Sequence, residues 1–314
     1  MTKLSATRAT NGRRPAPIGQ AQPLILLGMH RSGTSLTVRL LEDLGVHMGT
    51  WLSRDAESVH FQRLNRRIYA AAGSKWAAVD SLIGQMQSPA FIERQTEATW
   101  SALCEGRLPF RRSVLADFFG RQLWTALGRG ESLPWGWKDP RTTLTFPIWL
   151  RIFPEARWVH ILRNGVDVAI SIHRRSQKQI RKLRNRLFPI DFSPVTLDFG
   201  YCFHLWEAHL SFLLDHKDLI PAGCYLEIRY EDLLAEPKLH LRRLLEFAGY
   251  PVTDQALAAA SQRIDADRLD NARFAVSYRQ QIPSLVSSPL MQRLGYSYEL
   301  PPLSPAEAGR IGGT

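Results

Sequence analysis

Three cysteines in 314 residues are too few and too scattered to staple anything: Cys104, Cys202 and Cys224 are far apart, odd in number, and show neither zinc-ligand spacing nor a disulfide framework. A reducing compartment, and so a cytoplasmic location, is the expectation. No run of about 18 apolar residues occurs, which excludes a hydropathic transmembrane helix. The first 22 residues lack the apolar stretch of a secretory signal; their lack of acids leaves a mitochondrial presequence open, and a floppy basic leader is the plainer expectation. No internal repeat is visible. Acidic residues are also short: 29 against 40 Lys and Arg, a formal charge of +11. Such an excess points to an anionic partner, whether a phosphorylated small molecule, a polyanion or an anionic membrane surface met peripherally. With 45% hydrophobic and 22% charged residues, the chain is otherwise that of a globular protein able to bury a sizeable core.

The most informative stretch also lacks something. Pro23-Leu-Ile-Leu-Leu-Gly28-Met-His30-Arg31-Ser32-Gly33-Thr34-Ser35-Leu36 reads as a buried strand (24–28), a tight loop and the start of a helix (33–44). Its glycine spacing is that of the Walker A phosphate loop, but Thr34 stands where the lysine belongs, and Arg31 precedes Gly33 by two places. Loop amides followed by a helix N-terminus form an anion site. This one suits a phosphate or sulfate and does not match the loop that grips the β,γ-phosphates of ATP with magnesium.

Further along, a helix is predicted over about 56–72, carrying Glu57, His60 and the apolar Phe61, Leu64, Ile68 and Tyr69. Helices follow at 89–104 and 111–128. A strand at 134–138 stops before Pro140, a residue that cannot continue the ladder. Next come a helix over about 143–152, a buried strand from Ala156 to Arg163, and a helix over 166–173. Residues 174–186 carry seven basic side chains and no acid; the spacing of Ile180, Leu183 and Leu187 suits a basic amphipathic extension. A long helix over 196–217, a strand at Cys224–Tyr230 and a helix over 238–248 ending at Gly249 complete the regular part. The segment 273–298 mixes loop and helix, and a tail starts at 301. Strands alternating with helices predict an α/β fold with a central parallel sheet of about four or five strands flanked by helices. Residues 23–300 would form one such domain.

The loop Gly28–Ser35, the segment Arg163-Asn-Gly-Val-Asp167-Val-Ala-Ile-Ser171 and the run Arg229-Tyr-Glu-Asp-Leu-Leu…Pro237, in this order, resemble the sulfotransferase superfamily. Trp137-Lys-Asp-Pro-Arg141 resembles its bacterial-type branches, some of which act on carbohydrates. The resemblance implies a P-loop-containing three-layer fold and 3′-phosphoadenosine 5′-phosphosulfate (PAPS) as co-substrate. It implies in-line sulfuryl transfer without metal to a hydroxyl acceptor, a carbohydrate being one candidate. By the same resemblance the loop residues His30, Arg31, Ser32, Gly33, Thr34 and Ser35 hold the 5′-phosphosulfate. Arg31 neutralises the charge that develops as the sulfuryl group leaves. The family's 3′-phosphate motif, an Arg followed eight positions later by Ser, falls on Arg163 and Ser171, with Arg273 or Arg279 as a further basic ligand.

For the base that takes the acceptor's proton, cytosolic-type relatives use a histidine after the strand that here ends in Lys138; Asp139-Pro140 stand there instead. Carbohydrate-type relatives place a glutamate before a His-Phe pair and a lysine before a proline. Carried over, Glu57 becomes the base and Lys138 a sulfuryl-oxygen contact, with His60 and Asp139 as alternates.

Each motif also has a plainer reading. Arg163 could simply pair with Asp167 at helix spacing. Lys138–Arg141 could be a solvated turn with an Asp–Arg pair. Glu57 could be an exposed first-turn acid favoured by the helix dipole. The basic run could be a solvated face rather than a grip on an anionic acceptor. Two rival functions stay open at this point. A P-loop kinase or other nucleotide-dependent phosphotransferase is disfavoured by the missing lysine and by the lack of an obvious Walker B aspartate. A non-catalytic nucleic-acid-binding protein would explain the charge but has no recognition motif.

Overall fold

The computed structural model describes residues 22–104, 113–184, 192–264 and 272–300. The leader up to 21, the tail from 301, and Arg186 and Leu187 of the basic run lie outside them, as does the side chain of Arg273. The chain divides into two compact units: residues up to 162 with 209–264, and residues 163–208 with those from 272 on.

The first unit is an α/β body around four parallel strands, β1 (Leu24–Leu27), β2 (Gly136–Lys138), β3 (Arg157–Leu162) and β4 (Tyr225–Arg229), in the order β2-β1-β3-β4. β1 is apolar at every position and fully buried, as a strand covered on both faces must be. Its neighbours fix the register: Leu26 lies beside Lys138 on one flank and Val159 on the other. The chain leaves β1 for β2 on one side and β3 on the other, so β1 marks the point where strand order reverses, the place beyond whose carboxyl end open α/β sheets bind ligands.

Alternation along β2 sends Trp137 to one face of the sheet and Lys138 to the other. On the first face, Trp137 stacks on Phe61 of α2 (Val59–Ala71), with ring centroids 4.0 Å apart and planes within 3°. It also tilts against Trp149 of α6 (Thr142–Ile152). On the opposite face α1 (Thr34–Asp43), α9 (Tyr230–Ala235), α10 (Pro237–Ala248) and α11 (Asp254–Ser261) share a core with Leu24, Leu26, Val159 and Ile228. Burying a single leucine or phenylalanine in such a core contributes roughly 1.5–3 kcal/mol, which holds helices on both faces of the sheet.

Several elements differ from expectation. The second helix starts at Val59, not near 56, because residues 51–58 form a tight loop: Leu52 bridges Ser58 and the Val59 amide donates to the Trp51 carbonyl. Glu57 therefore sits in that loop, ahead of the helix. Three short helices were not anticipated, α3 (Asp80–Gln85), α9 and α11, and α9 takes Tyr230 from the end of the predicted strand, which stops at Arg229. α4 (Pro89–Cys104) matches the prediction, and α5 (Val114–Gly128) is kinked at Gly120.

In the second unit, the helix expected at 166–173 and its basic extension are one helix, α7 (Gly165–Arg184). α8 (Phe199–His216) begins after a short 3-10 turn at Pro194–Leu197. Short helices α12 (Ala272–Ala275), α13 (Ile282–Val286) and α14 (Pro289–Arg293) make up the described C-terminal part. Among the described residues no helix is long and apolar enough to cross a membrane.

Candidate active site

The loop after β1 is built by its glycines. Gly28 and Gly33 have φ of 147° and 97°, values that L side chains rarely adopt. A Cβ on Gly28 would lie 2.7 Å from Ser32 Oγ and 2.9 Å from the Ile161 carbonyl; one on Gly33 would enter the Tyr230 ring. Arg31 also has positive φ, at 73°. The Gly28 amide donates to Thr143 Oγ1 of α6 at 3.0 Å, tying the loop's start to that helix. Leu36 and Thr37 are the first amides of α1 to bond back, both to the Gly33 carbonyl. The amides of Thr34 and Ser35 thus have no acceptor within the helix. Ser32 Oγ is buried with no hydrogen-bond partner among the described residues. An orphaned hydroxyl, first-turn amides and a loop with no room for Cβ atoms fit a phosphate-like group.

Lys138 ends β2 on the same face and is buried. Its Nζ donates to the Asp55 carbonyl at 2.7 Å and to Ser35 Oγ at 3.3 Å, and the Ser35 hydroxyl donates to that same carbonyl. The expected phosphate donor Ser35 is therefore engaged by the 51–58 loop. That loop is anchored in turn by the Ser58 amide donating to the Lys138 carbonyl, and by a Ser53–Glu57 exchange in which each amide donates to the other residue, to Ser53 Oγ and to the Glu57 carbonyl.

The result is a buried cluster around Glu57. One carboxylate oxygen, Oε1, lies 3.9 Å from Lys138 Nζ and 4.0 Å from His30 Nδ1. The other, Oε2, accepts from Gln62 and lies 3.9 Å from Arg141 Nη1. Burial and then the Asp139 carboxylate raise the Glu57 pKa above the usual carboxylate range, while Lys138 and Arg141 pull it down. Burial lowers the Lys138 pKa, opposed by Glu57 and Asp139. A carboxyl raised in this way is a stronger base than a solvated one.

Lys138–Arg141 is not a solvated turn. The Asp–Arg pair exists, 3.0 Å from Arg141 Nη1 to Asp139 Oδ1, but Asp139 is fully buried. Nor is Glu57 exposed: it retains 7% of its accessible surface. His60 is set apart from this cluster. Its ring meets Phe118 edge-on at 6.1 Å, and burial lowers its pKa, with Asp117, Arg63 and His47 as its charged neighbours. His30, assigned to the phosphosulfate by the resemblance, faces Glu57 and packs edge-on against Trp76.

In the second unit Arg163 is buried and its Nη2 lies 3.7 Å from Asp167 Oδ2, so the plainer reading's ion pair is present. Tyr298 donates to Asp167 as well. Asn164 Oδ1 accepts from the Val166 amide and starts α7. Ser171 is half-buried on α7; two residues on, His173 Nδ1 lies 2.7 Å from the Tyr278 hydroxyl, and Arg279 follows Tyr278. Arg163, Ser171 and Arg279 thus belong to the same unit.

Gln62, Asn65, Trp76 and Tyr230 carry parts of these arrangements and were not singled out from sequence. Asn65 had a signal: it sits on the apolar face of α2 between Phe61 and Ile68, where a buried amide needs partners.

The sequence model of the sulfotransferase family matches residues 23–254, and so runs through both units. The chain belongs to the sulfotransferase family. Among curated proteins, the chain is 27% identical over 120 residues to protein-tyrosine sulfotransferase A of Caenorhabditis elegans, a segment covering 38% of this chain and 28% of the worm protein. It is 31% identical over 116 residues to an uncharacterized protein of Aquifex aeolicus, covering 34% of this chain and 13% of that one. The matched segments span less than a third of either relative. Solved structures similar to it include a sulfotransferase from Mycobacterium tuberculosis, with a TM-score of 0.44, 14% identity and coverage of 79% of this chain and 72% of that one. A mouse sulfotransferase complexed with PAP gives a TM-score of 0.40 and 15% identity, covering 92% of this chain and 81% of that one.

Proposed function

We propose that residues 23–300 form a PAPS-dependent sulfotransferase domain acting on a hydroxyl acceptor. The observation that carries this reading is the buried Glu57 carboxylate 3.9 Å from the Lys138 ammonium, with Lys138 hydrogen-bonded to Ser35 of the glycine loop. A base, a cation and an anion-binding loop are the parts a sulfuryl transfer needs side by side.

In the proposed reaction the acceptor O–H gives its proton to Glu57, the acceptor oxygen bonds the sulfur, and the bond between sulfur and the bridging phosphate oxygen breaks. The products are a sulfate ester and adenosine 3′,5′-bisphosphate. Lys138 meets a sulfuryl oxygen, and Arg31 stabilises charge on the departing bridging oxygen; arginine does this electrostatically because it does not release a proton. The amides of Thr34 and Ser35 and the Ser32 hydroxyl hold the 5′-phosphate, with Thr34 beside them. For Ser35, donation to a phosphate requires release of the Asp55 carbonyl. Arg163, Ser171 and Arg279 are assigned to the 3′-phosphate.

The order Glu57…His60-Phe61 favours a carbohydrate hydroxyl, whereas the name of the worm relative speaks of protein tyrosine. The test supplies PAPS with a saccharide or a tyrosyl peptide and follows bisphosphate release and sulfate-ester formation. Sulfated product from either supports the reading and picks the acceptor class. Tight binding of nucleic acid with no binding of the bisphosphate would overturn it.

A further inference from the structure

Four charged side chains are buried together where β2 ends: Glu57, Lys138, Asp139 and Arg141, two of each sign. The expected base, Glu57, is held loosely by charge. Its nearest cations are 3.9 Å away, and its close hydrogen bond comes from the neutral amide of Gln62. Asp139 is held tightly. Its Oδ1 takes Arg141 Nη1 at 3.0 Å and the Arg141 amide at 3.4 Å, and its Oδ2 takes Asn65 Nδ2 at 2.8 Å.

Asn65 is itself locked. The same Nδ2 donates to Thr142 Oγ1 at 2.9 Å, and its Oδ1 accepts from Thr145 Oγ1 at 2.7 Å and Trp149 Nε1 at 2.8 Å. The backbone is equally fixed, since the amides of Thr142 and Thr143 bond back to the carbonyls of Asp139 and Pro140 to open α6. One guanidinium nitrogen, Arg141 Nη1, therefore faces both carboxylates and is pinned to Asp139 rather than to Glu57. A buried network in which each member is satisfied is stiff, and it leaves Glu57 as the member free to change partner.

We propose that the Asp139–Arg141 pair, clamped by Asn65, is the positioning device for Glu57. Asp139 fixes where Arg141 places its charge, and Arg141 in turn sets the orientation and proton affinity of the carboxylate that takes the acceptor's proton. The inference rests on the sulfotransferase reading for its last step only. Charged and titratable groups facing Glu57 come from each side: His30 from the loop after β1, Asp55 from its own loop, and Lys138, Asp139 and Arg141 from the end of β2.

The two members act on Glu57 in opposite senses, which gives the test a signature that simple damage lacks. The full chain is labelled with carboxyl-13C glutamate, the Glu57 resonance is identified by its loss in Glu57→Gln, and its titration is followed. Asp139→Asn removes a negative neighbour, so the Glu57 midpoint should fall by about 1 pH unit. Arg141→Gln removes a positive one, so it should rise by about as much, the lower end of the range for a close charge. Arg141→Lys should return it toward the parent value. The acid limb of kcat/KM should move with the same signs.

Midpoints that stay at the parent value, or that move in one common direction, would overturn the proposal. Asp139→Asn is nearly isosteric, and its shift alone decides the case if Arg141→Gln fails to fold. The two readings fail separately. Opposed shifts with a fully active Glu57→Gln would keep the positioning role and discard Glu57 as the base. Static midpoints with an inactive Glu57→Gln would do the reverse.

Discussion

Gly33 and Tyr230 meet backbone to ring: a Cβ built on the glycine would lie 2.0 Å from the ring's edge. The loop that opens α1 and the residue that follows β4 are thus pressed together with no atom to spare. Gly33→Ala carries two penalties, the clash and a φ of 97° that disfavours a side chain by about 1–2 kcal/mol. The substitution should lower stability measurably and weaken bisphosphate binding. Adding Tyr230→Ala should recover the steric part alone, so the double variant stays less stable than Tyr230→Ala by about the backbone cost. Urea unfolding of the four proteins in this cycle makes the comparison. Full recovery in the double variant would show that the loop tolerates a side chain at this φ.

Glu57 should reveal itself in the pH profile. Its pKa is raised above the ordinary carboxylate range, first by burial. A base works only when deprotonated, so kcat/KM should fall as pH drops through a midpoint above the ~4.3 of a free glutamate. Glu57→Gln should cost turnover about 10²–10⁴-fold, the span of general-base effects, while bisphosphate affinity measured by calorimetry changes little. Normal turnover in that variant would move the base elsewhere.

The regular frame was legible because it rests on local patterns. β1 is a short apolar run, Gly249 stops α10 with a positive φ, and α4 opens at a proline. The glycine loop was legible for a similar reason, since its chemistry lies in consecutive residues. Glu57 was readable as a candidate but not as a buried group. Its burial comes from the contact between the 51–58 loop and the end of β2, residues some eighty positions apart. The same distance hid Asn65, whose partners Asp139, Thr145 and Trp149 lie on another helix and its preceding turn. Tyr230 read as the end of a strand, whereas it opens α9; only its packing against the loop shows why Gly33 is glycine.

A separate pH effect belongs to stability. Glu227 on β4 accepts from His160, 3.3 Å away on β3, and from the Tyr225 hydroxyl at 3.2 Å. The His160 hydrogen bond comes first among the causes that lower the Glu227 pKa, against an opposing effect of burial. A carboxyl with a lower pKa folded than unfolded adds stability above its unfolded pKa, about 4.3, and loses it as pH falls through the folded value. The protein should therefore unfold more easily in acid than near neutrality, and Glu227→Gln should flatten part of that acid dependence. Thermal unfolding across this range checks it. An unchanged acid slope in the variant would show that the His160–Glu227 contact carries no linkage.

Arg163 tests the second anion site, and the ion pair with Asp167 makes the test a real choice. If Arg163 serves the 3′-phosphate, Arg163→Ala should weaken adenosine 3′,5′-bisphosphate binding by about 1.5–3 kcal/mol, the worth of a hydrogen bond to a charged group. That is a loss of roughly ten- to a hundredfold in affinity. The ion pair at 3.7 Å predicts a different outcome for a purely structural arginine. Removing it would leave the Asp167 carboxylate with its Tyr298 contact but without that guanidinium, and the melting temperature would drop while affinity stayed put. Asp167→Asn separates the two further, since it breaks the ion pair and keeps the arginine. Under the phosphate-binding reading this variant holds its affinity or gains some, because Arg163 no longer divides its charge between a carboxylate and the ligand. Calorimetry on the two variants, paired with thermal unfolding, reads both quantities, and an Arg163→Ala protein that binds the bisphosphate as tightly as the parent would remove Arg163 from the site.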